Sequence, residues 1–126
     1  MTELIPNLFV NDLPGTVAWY RNLGFEVADR VPEEGDDLDW VRMTNGGVSL
    51  MLQTFASLGG EMPVISRQDG GSLLLYVIVE DIQALHDAIA GKVEVIHPLA
   101  KTFYGATEFS VVDPNRYVLT FAEMDR

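Results

Sequence analysis

Val10-Asn11-Asp12-Leu13 recurs in the second half of the chain as Val79-Glu80-Asp81-Ile82. An apolar run precedes each copy, from Leu4 to Val10 in one case and from Leu73 to Val79 in the other, and a segment of helical periodicity follows it. The repeat distance is a little over half the chain. The pattern therefore indicates duplication of a whole supersecondary unit rather than a solenoid.

The aspartate of each copy stands where a helix N-cap belongs. Asp12 and Asp81 can accept hydrogen bonds from the unpaired N–H groups of a first helical turn. The spacing of apolar residues predicts one helix over residues 14–22, ending at Gly24, and a second from Ile82 to Ile89.

Each helix is followed by three strand candidates, of which the last two are joined by a turn. The turns are Asn45-Gly46-Gly47 and Asp113-Pro114-Asn115-Arg116, both typical of hairpins. The first of the three strands is predicted to end at a proline, Pro32 in one copy and Pro98 in the other. The predicted strands span residues 25–30, 39–44, 48–55, 93–97, 108–112 and 117–122. The sequence thus predicts an α+β fold made of two tandem βαβββ modules.

The length of 126 residues suits a single domain. We expect module 1 over about residues 1–55, a connecting arm over about 56–71, and module 2 over about 72–126. The chain has no cysteine, which excludes disulfides, thiolate nucleophiles and cysteine-ligated metal centres. The net charge of −11 opposes binding to nucleic acid or anionic lipid, and no apolar run is long enough to span a bilayer. We expect a cytoplasmic protein with neither nucleic acid nor membrane as a partner.

Several motifs carry a family resemblance over nearly the whole chain. They are Phe9-Val10-Asn11-Asp12-Leu13, Trp19-Tyr20-Arg21-Asn22-Leu23-Gly24-Phe25, Tyr104-Gly105, Glu108-Phe109 and Asp113-Pro114-Asn115. They resemble the vicinal oxygen chelate superfamily of glyoxalases, bleomycin resistance proteins and extradiol dioxygenases, most of all its metal-free bleomycin-resistance branch. The resemblance implies a curved eight-stranded mixed sheet forming a cup, with the helices on its convex side. It also implies a homodimer and a role in antibiotic resistance.

Metal-using members of that superfamily place one ligand on the first and one on the last strand of each module. By register, the corresponding positions here are Ile5, Met51, Leu74 and Thr120. Since divalent cations of this kind need imidazole or carboxylate donors, none of the four is a competent ligand. We therefore expect no metal and no other cofactor.

If those positions face the cup, period-two alternation assigns further residues to the same face, and a loop before Gly105 could close over it. The candidate ligand-binding residues are Asn7, Phe9, Trp40, Arg42, Met51, Gln53, Phe55, Tyr76, Phe103, Tyr104, Glu108 and Thr120. Two alternatives stay open. The large side chains could fill the cup as core, and Arg42 and Glu108 could form an ion pair with no role in binding.

Three functions fit these residues. The first is a metal-free protein that sequesters a small aromatic or cationic compound. The second is a metal-independent lyase or isomerase in which Glu108 serves as general acid or base. The third is a regulatory or assembly subunit whose cup is filled by its own side chains. We favour binding over catalysis.

Overall fold

A computed structural model describes residues 1–126, and the chain divides into two compact units, Met1–Asp69 and Gly70–Arg126. Unit 1 contains β1 (Asn7–Val10), α1 (Leu13–Asn22), β2 (Glu26–Val31), β3 (Trp40–Asn45), β4 (Val48–Thr54) and α2 (Phe55–Leu58). Unit 2 contains β5 (Leu74–Ile78), α3 (Ile82–Ile89), β6 (Glu94–Lys101), β7 (Ala106–Val112) and β8 (Val118–Met124). That the two units make one domain stays a prediction.

Each unit carries a four-stranded mixed sheet with the same topology. The strand order is β1-β4-β3-β2 in unit 1 and β5-β8-β7-β6 in unit 2. In both sheets the first and last strands pair in parallel, and the other pairs are antiparallel. The α+β class and the duplicated βαβββ unit are confirmed, and the eight strands form two four-stranded sheets.

The aspartates of the repeat cap their helices as predicted. Asp12 Oδ1 accepts a hydrogen bond from the backbone N–H of Gly15 at 3.0 Å, and Asp81 Oδ1 accepts one from Ala84 at 3.1 Å. Beyond α1, Gly24 has a φ of +97°, a left-handed conformation that favours glycine. The same local signal therefore starts the helix of both units.

One face of each sheet is apolar and lies against the helix of its own unit. Its buried members are Leu8, Val10, Val41, Met43, Leu50 and Leu52 in unit 1 and Phe109, Val111, Leu119 and Phe121 in unit 2. On β5 the corresponding residues, Leu75 and Val77, are only half-buried. Since side chains alternate along a strand, the other face is left for the candidate site residues.

Several element boundaries differ from the sequence prediction: β1 begins at Asn7 rather than Leu4, which leaves Ile5 before the strand, β7 begins two residues earlier, at Ala106, and β8 ends two residues later, at Met124.

Two further differences have a clear physical cause. Pro98 does not end its strand: it lies inside β6, where the pairing with β7 shifts register on both sides of His97. A proline is tolerated there because β6 is an edge strand with irregular pairing. Phe55 is not in β4 but begins α2, whose N-cap is Thr54; its hydroxyl accepts from the N–H of Ser57 at 3.0 Å.

The chain between α2 and β5 is organised around one arginine. The guanidinium of Arg67 donates to the backbone carbonyls of Glu61 at 2.6 Å, Ile65 at 2.7 Å, Gly59 at 3.0 Å and Met62 at 3.2 Å. This part of the predicted connecting arm is thus an ordered loop.

None of the helices has both the length and the apolarity that crossing a membrane requires.

Candidate functional site

The first row of candidate residues in unit 1 crosses four strands. Asn7 on β1 lies opposite Met51 on β4, Met51 opposite Arg42 on β3, and Arg42 opposite Asp29 on β2. Residues paired in this way present their side chains on one face of the sheet. The structure therefore brings together the three residues that the sequence predicted for this row and adds Asp29.

Arg42 forms an ion pair with Asp29 inside unit 1. Its Nη2 lies 2.6 Å from Asp29 Oδ2, and its Nε donates to the same oxygen at 2.8 Å. The side chains of Arg42 and Asp29 are 31% and 56% exposed, so the pair is screened by solvent and adds little to stability. Asp29 is the partner of Arg42 that the sequence reasoning missed.

A second row on the same face is aromatic with a polar centre. Phe9 on β1 lies opposite Gln53 on β4, which lies opposite Trp40 on β3. The Phe9 and Phe55 ring centroids are 6.1 Å apart. Gln53 Oε1 accepts a hydrogen bond from Asn7 Nδ2 at 3.0 Å, which links the two rows. Phe9, Gln53, Trp40 and Phe55 are all half-buried, so this row keeps surface available to a ligand.

In unit 2, the equivalent face contains one buried polar pair. Thr120 on β8 lies opposite Ser110 on β7, and their hydroxyl oxygens are 2.8 Å apart. Thr120 is only 5% exposed. Its hydroxyl is thus already hydrogen-bonded within the unit, whereas Tyr76, opposite Thr120 on β5, is 44% exposed.

Tyr76, Tyr104 and Glu108 converge in unit 2. The hydroxyl of Tyr104 donates to Glu108 Oε2 at 2.6 Å, and the hydroxyl of Tyr76 donates to the same oxygen. Tyr76 can reach Glu108 because the residue between their strands, Ala122 on β8, is small and lies opposite Glu108. The sequence predicted all three residues, and the structure places them in one hydrogen-bonded cluster.

Phe103 completes the aromatic surface at this cluster. Its ring centroid is 5.1 Å from that of Tyr104, with the rings nearly perpendicular, and Phe103 is 100% exposed. Both residues lie in the turn that joins β6 and β7. The backbone N–H of Thr102 closes this turn by donating to the carbonyl of Ala106 at 2.8 Å.

The hydrogen bonds to Glu108 raise the pKa of both Tyr76 and Tyr104 above the usual value for a phenol. Ionisation would break the bond and place a second negative charge beside the carboxylate. These hydrogen bonds therefore stabilise the folded state fully below the ordinary tyrosine pKa. Their contribution is lost as the pH rises through the raised pKa values of the two phenols.

We predict that NMR of tyrosine labelled with ¹³C at Cζ will show Tyr76 and Tyr104 ionising at a higher pH than a tyrosine in an unstructured peptide. Glu108→Gln removes the negative acceptor, so both titration midpoints should fall. Glu94→Gln removes an exposed carboxylate of the same unit and should leave them in place. Unchanged midpoints in Glu108→Gln would contradict the assignment of Glu108 as the cause.

The four positions that the family resemblance predicts as counterparts of metal ligands do not fit a divalent cation. Ile5, Met51 and Leu74 offer no hard donor, and the Thr120 hydroxyl is bonded to Ser110. The structure contains no group of three or more His, Cys, Asp or Glu side chains arranged to hold a metal ion. The donor chemistry at these positions therefore supports no metal-dependent step.

A concavity that the sequence did not predict lies on the helix side of unit 1. Its volume is about 350 Å³, and its lining comes from α1, β2, β3 and the loop between the two strands: Pro14, Val17, Arg21, Val27, Arg30, Leu38 and Val41. Both arginines already have partners, since Arg21 lies 3.6 Å from Glu26 and Arg30 Nε donates to the carbonyl of Pro32 at 2.9 Å. We assign no function to it.

Comparison with known proteins gives the same family over most of the chain. The family model of the glyoxalase/bleomycin resistance protein/dioxygenase superfamily matches residues 4–121. No curated protein matches.

Solved structures share the fold. A protein of unknown function from Agrobacterium tumefaciens is 27% identical, with a TM-score of 0.78 over 98% of this chain and 94% of that one. TioX from Micromonospora sp. ML1 is 21% identical, with a TM-score of 0.78 over 98% and 99%. A bleomycin-binding protein in complex with bleomycin is 19% identical, with a TM-score of 0.70 over 99% and 100%.

Proposed function

Because this chain belongs to the glyoxalase/bleomycin resistance protein/dioxygenase superfamily, we propose that it sequesters a small aromatic or cationic compound without transforming it and without a metal. The proposal locates this binding in the cytoplasm and makes resistance to a toxic compound its biological consequence. The bleomycin complex of a structural neighbour supports a small organic ligand on this fold.

The observation that carries the proposal is the half-buried face of the unit 1 sheet, opposite the face that α1 covers. Phe9 and Trp40 flank Gln53 on that face, and none of the three is fully buried. Ligand sites typically combine aromatic walls with a few fixed polar groups. Here the polar groups are fixed by the hydrogen bond from Asn7 to Gln53 and by the pairing of Arg42 with Asp29.

The partial exposure of this face bears on the alternative in which the site is filled by its own side chains. Trp40 and Met51 would be fully buried if they served only as core, as Met43 and Leu52 are on the opposite face. Their half-buried state supports a surface that is open to a ligand.

The test is a binding screen monitored by Trp40 fluorescence in a Trp19→Phe background, which leaves Trp40 as the one tryptophan. The panel contains bleomycin, flat aromatic drugs and small organic amines. We expect at least one compound to quench the fluorescence of Trp40 in a saturable way. After incubation with the protein, that compound should be recovered chemically unchanged. No response to any compound would overturn the proposal, and conversion of a bound compound would favour the metal-independent enzyme instead.

We further propose that the protein is a homodimer. Leu4 and Val64 in unit 1 are each 93% exposed, and Met62 is 56% exposed. We propose that these three side chains form part of one contact surface, because contiguous exposed apolar patches mark sites of contact with another protein. Light scattering coupled to gel filtration should give twice the chain mass of 14.0 kDa, and a mass of one chain across the concentration range would contradict the dimer.

A further inference from the structure

Glu108 has an oxygen that its neighbours leave available. Both phenol hydroxyls, from Tyr76 and Tyr104, donate to Oε2. A carboxylate can accept hydrogen bonds on both oxygens, so Oε1 keeps its full capacity. The ion pairs of this chain join Arg21 to Glu26, Arg42 to Asp29 and His86 to Asp87, and the structure gives Glu108 no basic partner.

The two phenols also fix the position of this carboxylate. Hydrogen bonds to an ionised acceptor are stronger than those between neutral groups, and two of them on one oxygen restrict rotation of the side chain. Glu108 is half-buried on β7, a central strand of the sheet of unit 2. A negative group held in this way loses less conformational entropy on binding than a free surface glutamate does.

The surroundings of the carboxylate are aromatic and apolar. Phe103 is 100% exposed, Ile78 63%, Tyr104 55% and Tyr76 44%. Ile78 lies opposite Ala122, which lies opposite Glu108, so it shares the face of the cluster. An inorganic cation needs several oxygen ligands, whereas a single carboxylate among exposed rings suits a cation that carries apolar groups.

We infer that the Glu108 cluster, defined as Glu108, Tyr76, Tyr104 and Phe103, binds the ammonium or guanidinium group of an organic cation. The N–H donors of the cation bond to Oε1, and its apolar part contacts the rings of Tyr104 and Phe103. This inference rests on the proposed function, because it decides between the aromatic and cationic compounds that the proposal allows. The chain has nineteen acidic and eight basic residues, and the resulting negative charge favours the approach of a cation.

Three probes that share a phenethyl frame isolate the effect of the charge. Phenethylamine carries an ammonium, 2-phenylethanol a neutral hydroxyl, and 3-phenylpropionate a carboxylate on the same aromatic frame. In NMR titrations of the full chain, we expect phenethylamine to bind at least about tenfold more tightly than the alcohol, since hydrogen bonds to charged groups are the stronger class. The propionate should not shift the resonances of the Glu108 cluster.

Variants of Glu108 and Tyr104 test whether these side chains cause the preference for the ammonium probe. Glu108→Gln should remove the preference for the ammonium, and Glu94→Gln, which also removes one negative charge in unit 2, should keep it. Tyr104→Phe retains the ring and should change affinity by less than about threefold, whereas Tyr104→Ala should weaken binding by more than that because the ring that contacts the apolar part of the cation is lost.

The outcomes separate the inference from the proposed function. Equal affinity for the ammonium and the alcohol, or full ammonium preference in Glu108→Gln, overturns the cation site but leaves a small-molecule binder. The inference is also wrong if phenethylamine fails to bind at about 10 mM, a concentration well above the dissociation constant expected for a charge-assisted contact. The proposed function itself fails only if none of the compounds in the Trp40 fluorescence screen binds either.

Discussion

Replacing Asp113 by alanine is expected to lower the free energy of unfolding by about 3 kcal/mol, since two buried donors lose their acceptor at once. Asp113 is 2% exposed. Its Oδ1 accepts hydrogen bonds from the backbone N–H groups of Asn115 at 2.8 Å and Tyr117 at 2.9 Å. These bonds hold the turn between β7 and β8, the two strands that carry Glu108 and Thr120.

Asp113→Asn is the matched control, because an amide keeps the oxygen acceptor at the same place. It should cost about 1 kcal/mol, the difference between a charged and a neutral acceptor. Urea unfolding monitored by circular dichroism measures both, and an unchanged slope against urea would show that the variants unfold the same surface. Equal stability of Asp113→Ala and the wild type would show that the turn does not need the carboxylate.

The elements that were predictable from the sequence depend on short-range signals. Asp12 and Asp81 cap helices that begin immediately after them, and the Asp113 turn is formed within five residues. In such cases the donor and acceptor are close in the chain. Their meeting depends on backbone geometry that the sequence encodes locally.

The partner of Arg42 was not predictable for a different reason. Regular alternation along β2 would place Ala28 opposite Arg42, but the pairing with β3 shifts register between Val27 and Asp29. This bulge brings Asp29 to Arg42 instead. A bulge adds one residue to one strand, and no periodic pattern in the sequence reveals where it occurs.

The Glu108 cluster was predictable only in part. Alternation put Tyr76 and Glu108 on one face, and the structure agrees. Their hydrogen bond depends in addition on the small side chain of Ala122 between them, whereas the equivalent position in unit 1 is Gln53, which itself bonds to Asn7. Two modules with the same register therefore carry different chemistry, because the residue at one position decides which side chains can meet.

Trp40→Ala is expected to weaken binding of the tightest compound in the panel by about 30-fold, equivalent to about 2 kcal/mol. Trp40 is the largest side chain on the half-buried face of the unit 1 sheet, and it lies on β3 between Gln53 and Val31. A rigid indole held by two neighbouring strands offers contact area at a low entropic cost. Because it is half-buried, its loss should change stability less than the loss of a core residue.

Affinity is best measured by calorimetry here, since the variant has lost its fluorescent reporter. Trp40→Phe keeps an aromatic ring and should retain most of the affinity. Trp19→Phe is the control on α1, where Trp19 packs edge-on against Tyr20 with ring centroids 4.9 Å apart, and it should bind as the wild type does. If Trp40→Ala binds as tightly as Trp19→Phe, the ligand does not use the aromatic row of unit 1. Binding would then have to be sought at the Glu108 cluster, where the same compound should lose affinity in Glu108→Gln.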